Sequence, residues 1–137
     1  MRLDQLNSIA RKIIDNNKVR VLNLANSGLA DADLIYLSSS LQRCPKLESL
    51  YLQGNVIGDD GALCIVNLLR HHPTLKTVRL ANNRITDVGK RGLLDIVATK
   101  KNELKIYLVD RFRLVAPNNG NDFTYHVYET SDLDRRR

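Results

Sequence analysis

A pattern of apolar residues recurs along this chain every 28 positions, and that period limits what the chain can fold into. Leu47, Leu50, Leu52, Asn55, Ile57 and Gly61 spell L-x-x-L-x-L-x-x-N-x-I-x-x-x-G. Leu75, Val78, Leu80, Asn83, Ile85 and Gly89 spell it again, 28 residues later. A weaker copy lies one period upstream, in Val19, Leu22, Leu24, Ser27 and Leu29. Downstream, Ile106 and Leu108 fall at the phases of Val78 and Leu80. Repetition at this length calls for supersecondary units stacked into a solenoid, because no single unit can bury its own apolar faces.

Each unit reads as a short strand followed by a helix. The pairs Leu22/Leu24, Leu50/Leu52, Val78/Leu80 and Ile106/Leu108 alternate with polar neighbours, the period of a strand buried on one face. The Asn after the strand, Asn55 or Asn83, offers an amide that can bond the backbone of neighbouring turns. Helical spacing follows in Leu34, Leu37 and Leu41, in Ala62, Ile65 and Leu69, and in Leu93, Ile96 and Val97. Cys44-Pro45, His72-Pro73 and Asn102 stop these helices before the next strand.

Residues 18–45, 46–73 and 74–102 are full repeats, and 103–111 supplies a fourth strand, so the repeats occupy 18–111. An open solenoid end exposes core and needs a cover. Residues 1–17 provide the front one, a helix over 3–15 with Leu3, Leu6, Ile9, Ala10, Ile13 and Ile14 on one face. Residues 112–130 are expected to form a β-hairpin packed behind the last repeat. Phe112 and Leu114 lie on one strand, Phe123, Tyr125 and Val127 on the other, with turn formers from Pro117 to Asn121 between them. Residues 131–137 have no apolar pattern and read as a disordered tail. The 137 residues, 43% of them hydrophobic, form one domain.

These motifs, with Gly61 and Gly89 and with helices on the outer side, resemble the ribonuclease-inhibitor-like subclass of leucine-rich repeat proteins over about residues 18–111. The resemblance implies an α/β right-handed solenoid, a short horseshoe whose parallel sheet lines a concave face used to bind proteins, in an intracellular setting. Relatives of that kind include ribonuclease inhibitors, innate immune receptors, Ran GTPase activators and actin pointed-end cappers, so the resemblance names a scaffold and not a partner. The first repeat departs from the pattern: Ser27 stands at the Asn phase and Asp33 at the Gly phase. Arg111 stands at the Asn phase of the fourth unit.

Stacking in register turns each phase into a column across the sheet, with strands about 4.8 Å apart. The column between the two core positions reads Asn23, Tyr51, Arg79, Tyr107, and it should face solvent. Beside it run Val21, Ser49, Thr77, Lys105 and Ala25, Gln53, Ala81, Val109; the strand exits add Asn26, Gly54, Asn82 and Asp110. Tyr and Arg dominate binding hot spots, and an Arg between two Tyr can stack as a cation–π sandwich. Asn23, Tyr51, Arg79, Tyr107, Gln53, Lys105 and Asn82 are therefore the expected partner-binding residues.

Charge is unevenly spread. Residues 1–69 carry seven basic and seven acidic side chains, while residues 70–113 carry eleven against four, a net of +7. That excess suits an acidic protein partner better than nucleic acid, for which no reader motif exists. His71, His72 and His126 lack metal-ligand spacing, and no phosphate-binding glycine loop followed by Lys-Ser/Thr is present. The sequence thus points to a non-catalytic protein-interaction module or adaptor in the cytoplasm, with no cofactor, metal, small-molecule substrate or membrane span. Cys44 and Cys64 are expected to be reduced thiols. The alternative is a structural, cytoskeleton-associated component that self-assembles through the C-terminal hairpin.

Overall fold

The computed structural model describes residues 1–100, 103–109, 112–114 and 128–129. Asn102, Asp110, Arg111, the turn cluster from Pro117 to Asn121, Phe123, Tyr125, Val127 and the segment from Ser131 to Arg137 lie outside the described residues.

Helix and strand alternate: α1 (Leu3–Asp15), β1 (Val21–Asn23), α2 (Asp31–Gln42), β2 (Ser49–Tyr51), α3 (Asp59–His71), β3 (Thr77–Arg79), α4 (Asp87–Lys100) and β4 (Lys105–Val109). Strands β1 to β4 run parallel in chain order. The helices stack beside one another in the same order, α1 on α2, α2 on α3 and α3 on α4. This is an α/β leucine-rich-repeat solenoid. Strand β5 (Phe112–Leu114) pairs antiparallel with β4, and β6 (Tyr128–Glu129) pairs antiparallel with β5. Strand β5 prolongs the sheet beyond β4, whose edge offers backbone donors and acceptors.

The core lies between sheet and helices. Leu50, Leu52, Val78, Leu80 and Ile106 enter it from the strands, and Leu34, Leu37, Leu41, Ile65, Leu69, Leu93 and Val97 enter it from the helices. Each such leucine contributes about 1.5–3 kcal/mol when fully removed from water. At the front, Leu6 and Ile13 of α1 are buried and Ile9 and Ala10 pack partly against the core. Leu3 and Ile14 instead face outward, 62% and 53% exposed. Helix α1 has a helical neighbour on one side only, so one stripe is covered and the flanks of the apolar face are not.

Two ladders of polar side chains fasten one repeat to the next. In the first, the Asn55 amide oxygen accepts the N–H groups of Ser27 and Leu29, and its nitrogen donates to the carbonyls of Leu24 and Leu52. Asn83 repeats this one unit on, accepting from Ile57 N–H and donating to Leu52 and Leu80. The second ladder is carried by aspartates at each helix start. Asp31 accepts the Gly58 N–H, and Asp59 accepts those of Thr86 and Gly89 together with the Thr86 hydroxyl. The bonds from Thr86 hold the Asp59 carboxyl below the usual carboxylate range.

The glycines of the motif follow from this second ladder. A Cβ on Gly61 would stand 2.6 Å from Asp31 Oδ1, and one on Gly89 would stand 2.6 Å from Asp59 Oδ1. The first repeat has Leu3 where its neighbours have Asp31 and Asp59, so no upstream carboxylate crowds the Gly phase. Asp33 occupies it there and accepts the Ala30 N–H at 2.8 Å, capping its own helix.

Candidate functional site

Parallel pairing sets Asn23 opposite Tyr51, Tyr51 opposite Arg79 and Arg79 opposite Tyr107. Side chains of one phase share a sheet face, so these four form a single row on the face opposite the core. The row has a built centre. The Arg79 guanidinium carbon lies 4.7 Å from the centroid of the Tyr51 ring and 5.2 Å from that of Tyr107. Both distances are inside the roughly 6 Å limit of cation–π attraction, worth about 0.5–1 kcal/mol at exposed sites and about 2 when desolvated.

Burial along the row is graded. Asn23 is exposed, Tyr51 and Arg79 are half-buried, and Tyr107 is only 7% exposed. Tyr107 was expected to face solvent. Its row continues into β5, where Arg113 is its register partner, so a strand lies on each side of it. Tyr107 thus backs the Arg79 stack more than it offers open surface.

The remaining expected residues divide by environment. Lys105 is exposed on the adjacent strand, in register with Thr77. Gln53 is half-buried, and its Oε1 is buried with no hydrogen-bond partner. Asn82 is exposed at φ 57, and Asn26, two column positions away on β1's side, has φ 55. Gly54 stands between them at φ 72. The strand exit is therefore a left-handed turn in three consecutive units, which selects Asn and Gly on backbone grounds. Backbone conformation thus accounts for Asn82.

Among the described residues no group of three or more His, Cys, Asp or Glu is placed to hold a metal ion, and no helix is long and apolar enough to cross a membrane. Cys44 and Cys64 are free thiols, and burial pushes both above the ordinary thiol value.

Residues 43–66 and 71–93 match the family profile described as Leucine Rich repeat. The chain is a leucine-rich repeat protein. It is 31% identical over 104 residues to leiomodin-2 of Gallus gallus, covering 75% of this chain and 19% of that protein. It is 26% identical over 132 residues to Protein TORNADO 1 of Arabidopsis thaliana, covering 88% of this chain and 9% of that protein. The chain therefore spans less than a fifth of either relative. In fold it is similar to the solved structure of leiomodin-1 actin-binding site 2, with TM-score 0.63 and 15% identity over 88% of this chain and 68% of that one. It is also similar to the tropomodulin C-terminal domain of Caenorhabditis elegans, with TM-score 0.64 and 16% identity over 77% of this chain and 64% of that one. At such identities the likeness concerns the repeat fold.

One residue of this leucine-rich repeat frame escapes sequence reasoning. His72, 3% exposed, sits where α3 gives way to β3. Its Nδ1 accepts the N–H groups of Thr74 and Leu75 at 3.2 and 3.1 Å, so the proton is on Nε2, which donates to the Cys44 carbonyl at 2.9 Å. Burial pushes the imidazole below its ordinary value. The folded state then binds fewer protons than the unfolded one. Stability is complete above the unfolded value of about 6.5 and drains as pH falls through it toward the folded value. We expect the thermal midpoint to drop between pH 7.5 and 5.5. In His72→Gln, which starts lower, the same interval should change it much less. Equal slopes in the two proteins would show that His72 is not the titrating group.

Proposed function

We propose that this chain is a non-catalytic protein-interaction module that docks a protein partner on the concave face of its parallel sheet, around Tyr51, Arg79 and Tyr107. The observation that carries this reading is the Arg79 guanidinium stacked between the two phenol rings. Arg and Tyr are the side chains most enriched where interfaces concentrate their energy. A cation already held by its neighbours has little rotamer freedom left to lose on binding, which favours affinity. Family membership adds support, since solenoids present extended concave surfaces for binding.

Actin is the first partner to try, and a cytoskeletal role the first context. Leiomodin-2 is similar in sequence, and the leiomodin-1 fragment of similar fold is an actin-binding site. The free thiols Cys44 and Cys64 suit a reducing cytoplasm, the location this reading takes.

The test compares immobilised wild-type protein with Tyr51→Ala/Arg79→Glu, offering purified actin and then a cell extract. Two hot-spot losses of about 2 kcal/mol each predict at least a hundredfold weaker capture. The thermal midpoint should move by less than about 4 °C, because both side chains are half-buried on a sheet face. Undiminished capture by the double variant removes the concave face from the interface.

A further inference from the structure

We propose that the Arg79 slot receives the carboxylate of an acidic side chain, presented by an extended, Glu- or Asp-rich segment of the partner. This rests on the concave-face reading and specifies the chemistry of its occupant.

The geometry restricts how Arg79 can be approached. Tyr51 and Tyr107 flank Arg79 in the row, with ring centroids 4.7 and 5.2 Å from the guanidinium carbon, so an added group is best met at the edge of the guanidinium plane. Its N–H donors all lie in that plane, and the acceptor that matches such a fork is a carboxylate. No carboxylate among the described residues fills the role. Arg79 Nε is buried with no hydrogen-bond partner, and Arg79 enters no ion pair among the described residues. Among the described residues, ion pairs join Met1 to Asp33, Arg2 to Asp4 and Arg20 to Glu48, all upstream of β3.

The surrounding face has the matching sign. The outward strand positions Val21, Asn23, Ser49, Tyr51, Thr77, Arg79, Lys105 and Tyr107 hold two cations and no carboxylate. Lys105 is exposed on the strand next to Arg79, ready for a second acidic group of the same segment. A single-stranded nucleic acid is the other anionic candidate, and it fits less well. Such strands need open aromatic faces on which bases stack. Here Arg79 occupies one face of each ring, and Tyr107 is buried.

Fluorescence anisotropy with labelled deca-glutamate, deca-glutamine and deca-uridylate decides the matter, using the full chain, Arg79→Lys, Tyr51→Leu and Lys105→Gln. The proposal expects deca-glutamate to bind the full chain at least about tenfold more tightly than deca-glutamine. Arg79→Lys keeps the charge but loses the planar fork, and it should weaken deca-glutamate by about tenfold or more. Tyr51→Leu should weaken it as well, while Lys105→Gln has a smaller effect. If Arg79→Lys binds deca-glutamate as wild type does, only diffuse charge is at work and the slot is overturned. Tighter binding of deca-uridylate overturns the acidic-protein assignment. Equal binding of the two peptides, lost in Tyr51→Ala/Arg79→Glu, overturns the carboxylate inference while leaving concave docking intact. Absence of peptide binding by the full chain also overturns the inference, and capture of a protein partner then still tests docking by itself.

Discussion

Replacing Asn55 by alanine is expected to cost about 3–5 kcal/mol, a large part of the stability of a domain this size. Its amide is 6% exposed and saturated by four backbone partners. Oδ1 accepts Ser27 and Leu29 N–H at 3.0 Å each, and Nδ2 donates to Leu24 and Leu52 carbonyls at 2.9 Å each. Alanine removes all four bonds at once and leaves two donors, Ser27 and Leu29 N–H, and one acceptor, the Leu24 carbonyl, without partners beneath the turn, while the Leu52 carbonyl keeps its bond from Asn83. Each stranded group costs about 1–3 kcal/mol where water cannot reach it, and partial relaxation brings the sum into the stated range. Asn83→Ala should cost less. Its amide is half-buried, and among the described residues Oδ1 accepts one N–H, that of Ile57. Urea unfolding of the two variants and wild type measures both. A loss below about 1 kcal/mol for Asn55→Ala would mean that the ladder is ornamental to stability, and the ranking of the two sites would lose its basis.

That Asn was legible as a backbone-bonding residue because its phase recurs, and recurrence exposed most of the fold in the same way. In a parallel stack, a sequence offset of 28 becomes a step to the neighbouring strand. Asn23, Tyr51, Arg79 and Tyr107 could therefore be aligned before any coordinates. The same logic reveals residues only where their phase is recognised as meaningful. Asp31, Asp59 and Asp87 also recur every 28 residues, yet each reads locally as an ordinary acidic helix start. What the string does not display is that the carboxylate reaches the next unit's turn. His72 is less visible still. It appears once in its column, and its role lies in bonds to the Cys44, Thr74 and Leu75 backbone, which no side-chain pattern encodes. Tyr107, 7% exposed, differs for another reason: it lies on a strand paired on both sides, and β5 lies beyond the repeats, where no period governs placement.

Glycine supplies the sharpest test of the aspartate ladder, through two substitutions in one helix that should act in opposite directions. Gly89→Ala and Gly92→Ala both lie in α4, where alanine is intrinsically favoured over glycine by about 1 kcal/mol. At Gly92 an added Cβ would meet only Val66 Cγ2 at 3.6 Å, an ordinary contact. Gly92→Ala should therefore stabilise the protein by about 0.5–1 kcal/mol. At Gly89 the same methyl would stand 2.6 Å from Asp59 Oδ1, 2.7 Å from Ile85 Cγ2 and 3.1 Å from Ala62 Cβ. Asp59 cannot swing aside freely, since Thr86 and Gly89 N–H groups hold that oxygen at 2.8 and 3.2 Å. Either the carboxylate lets go of the neighbouring repeat or α3 and α4 separate, and overpacking of this kind costs about 1–3 kcal/mol. We expect Gly89→Ala to be destabilising by about 1 kcal/mol net of the helix preference. In an Asp59→Ala background part of that penalty should vanish, because the carboxylate is one of the three obstacles. Urea midpoints for the four proteins read out the coupling. A stabilising Gly89→Ala, matching Gly92→Ala, would show that the close approach of α3 to α4 is not held by this ladder.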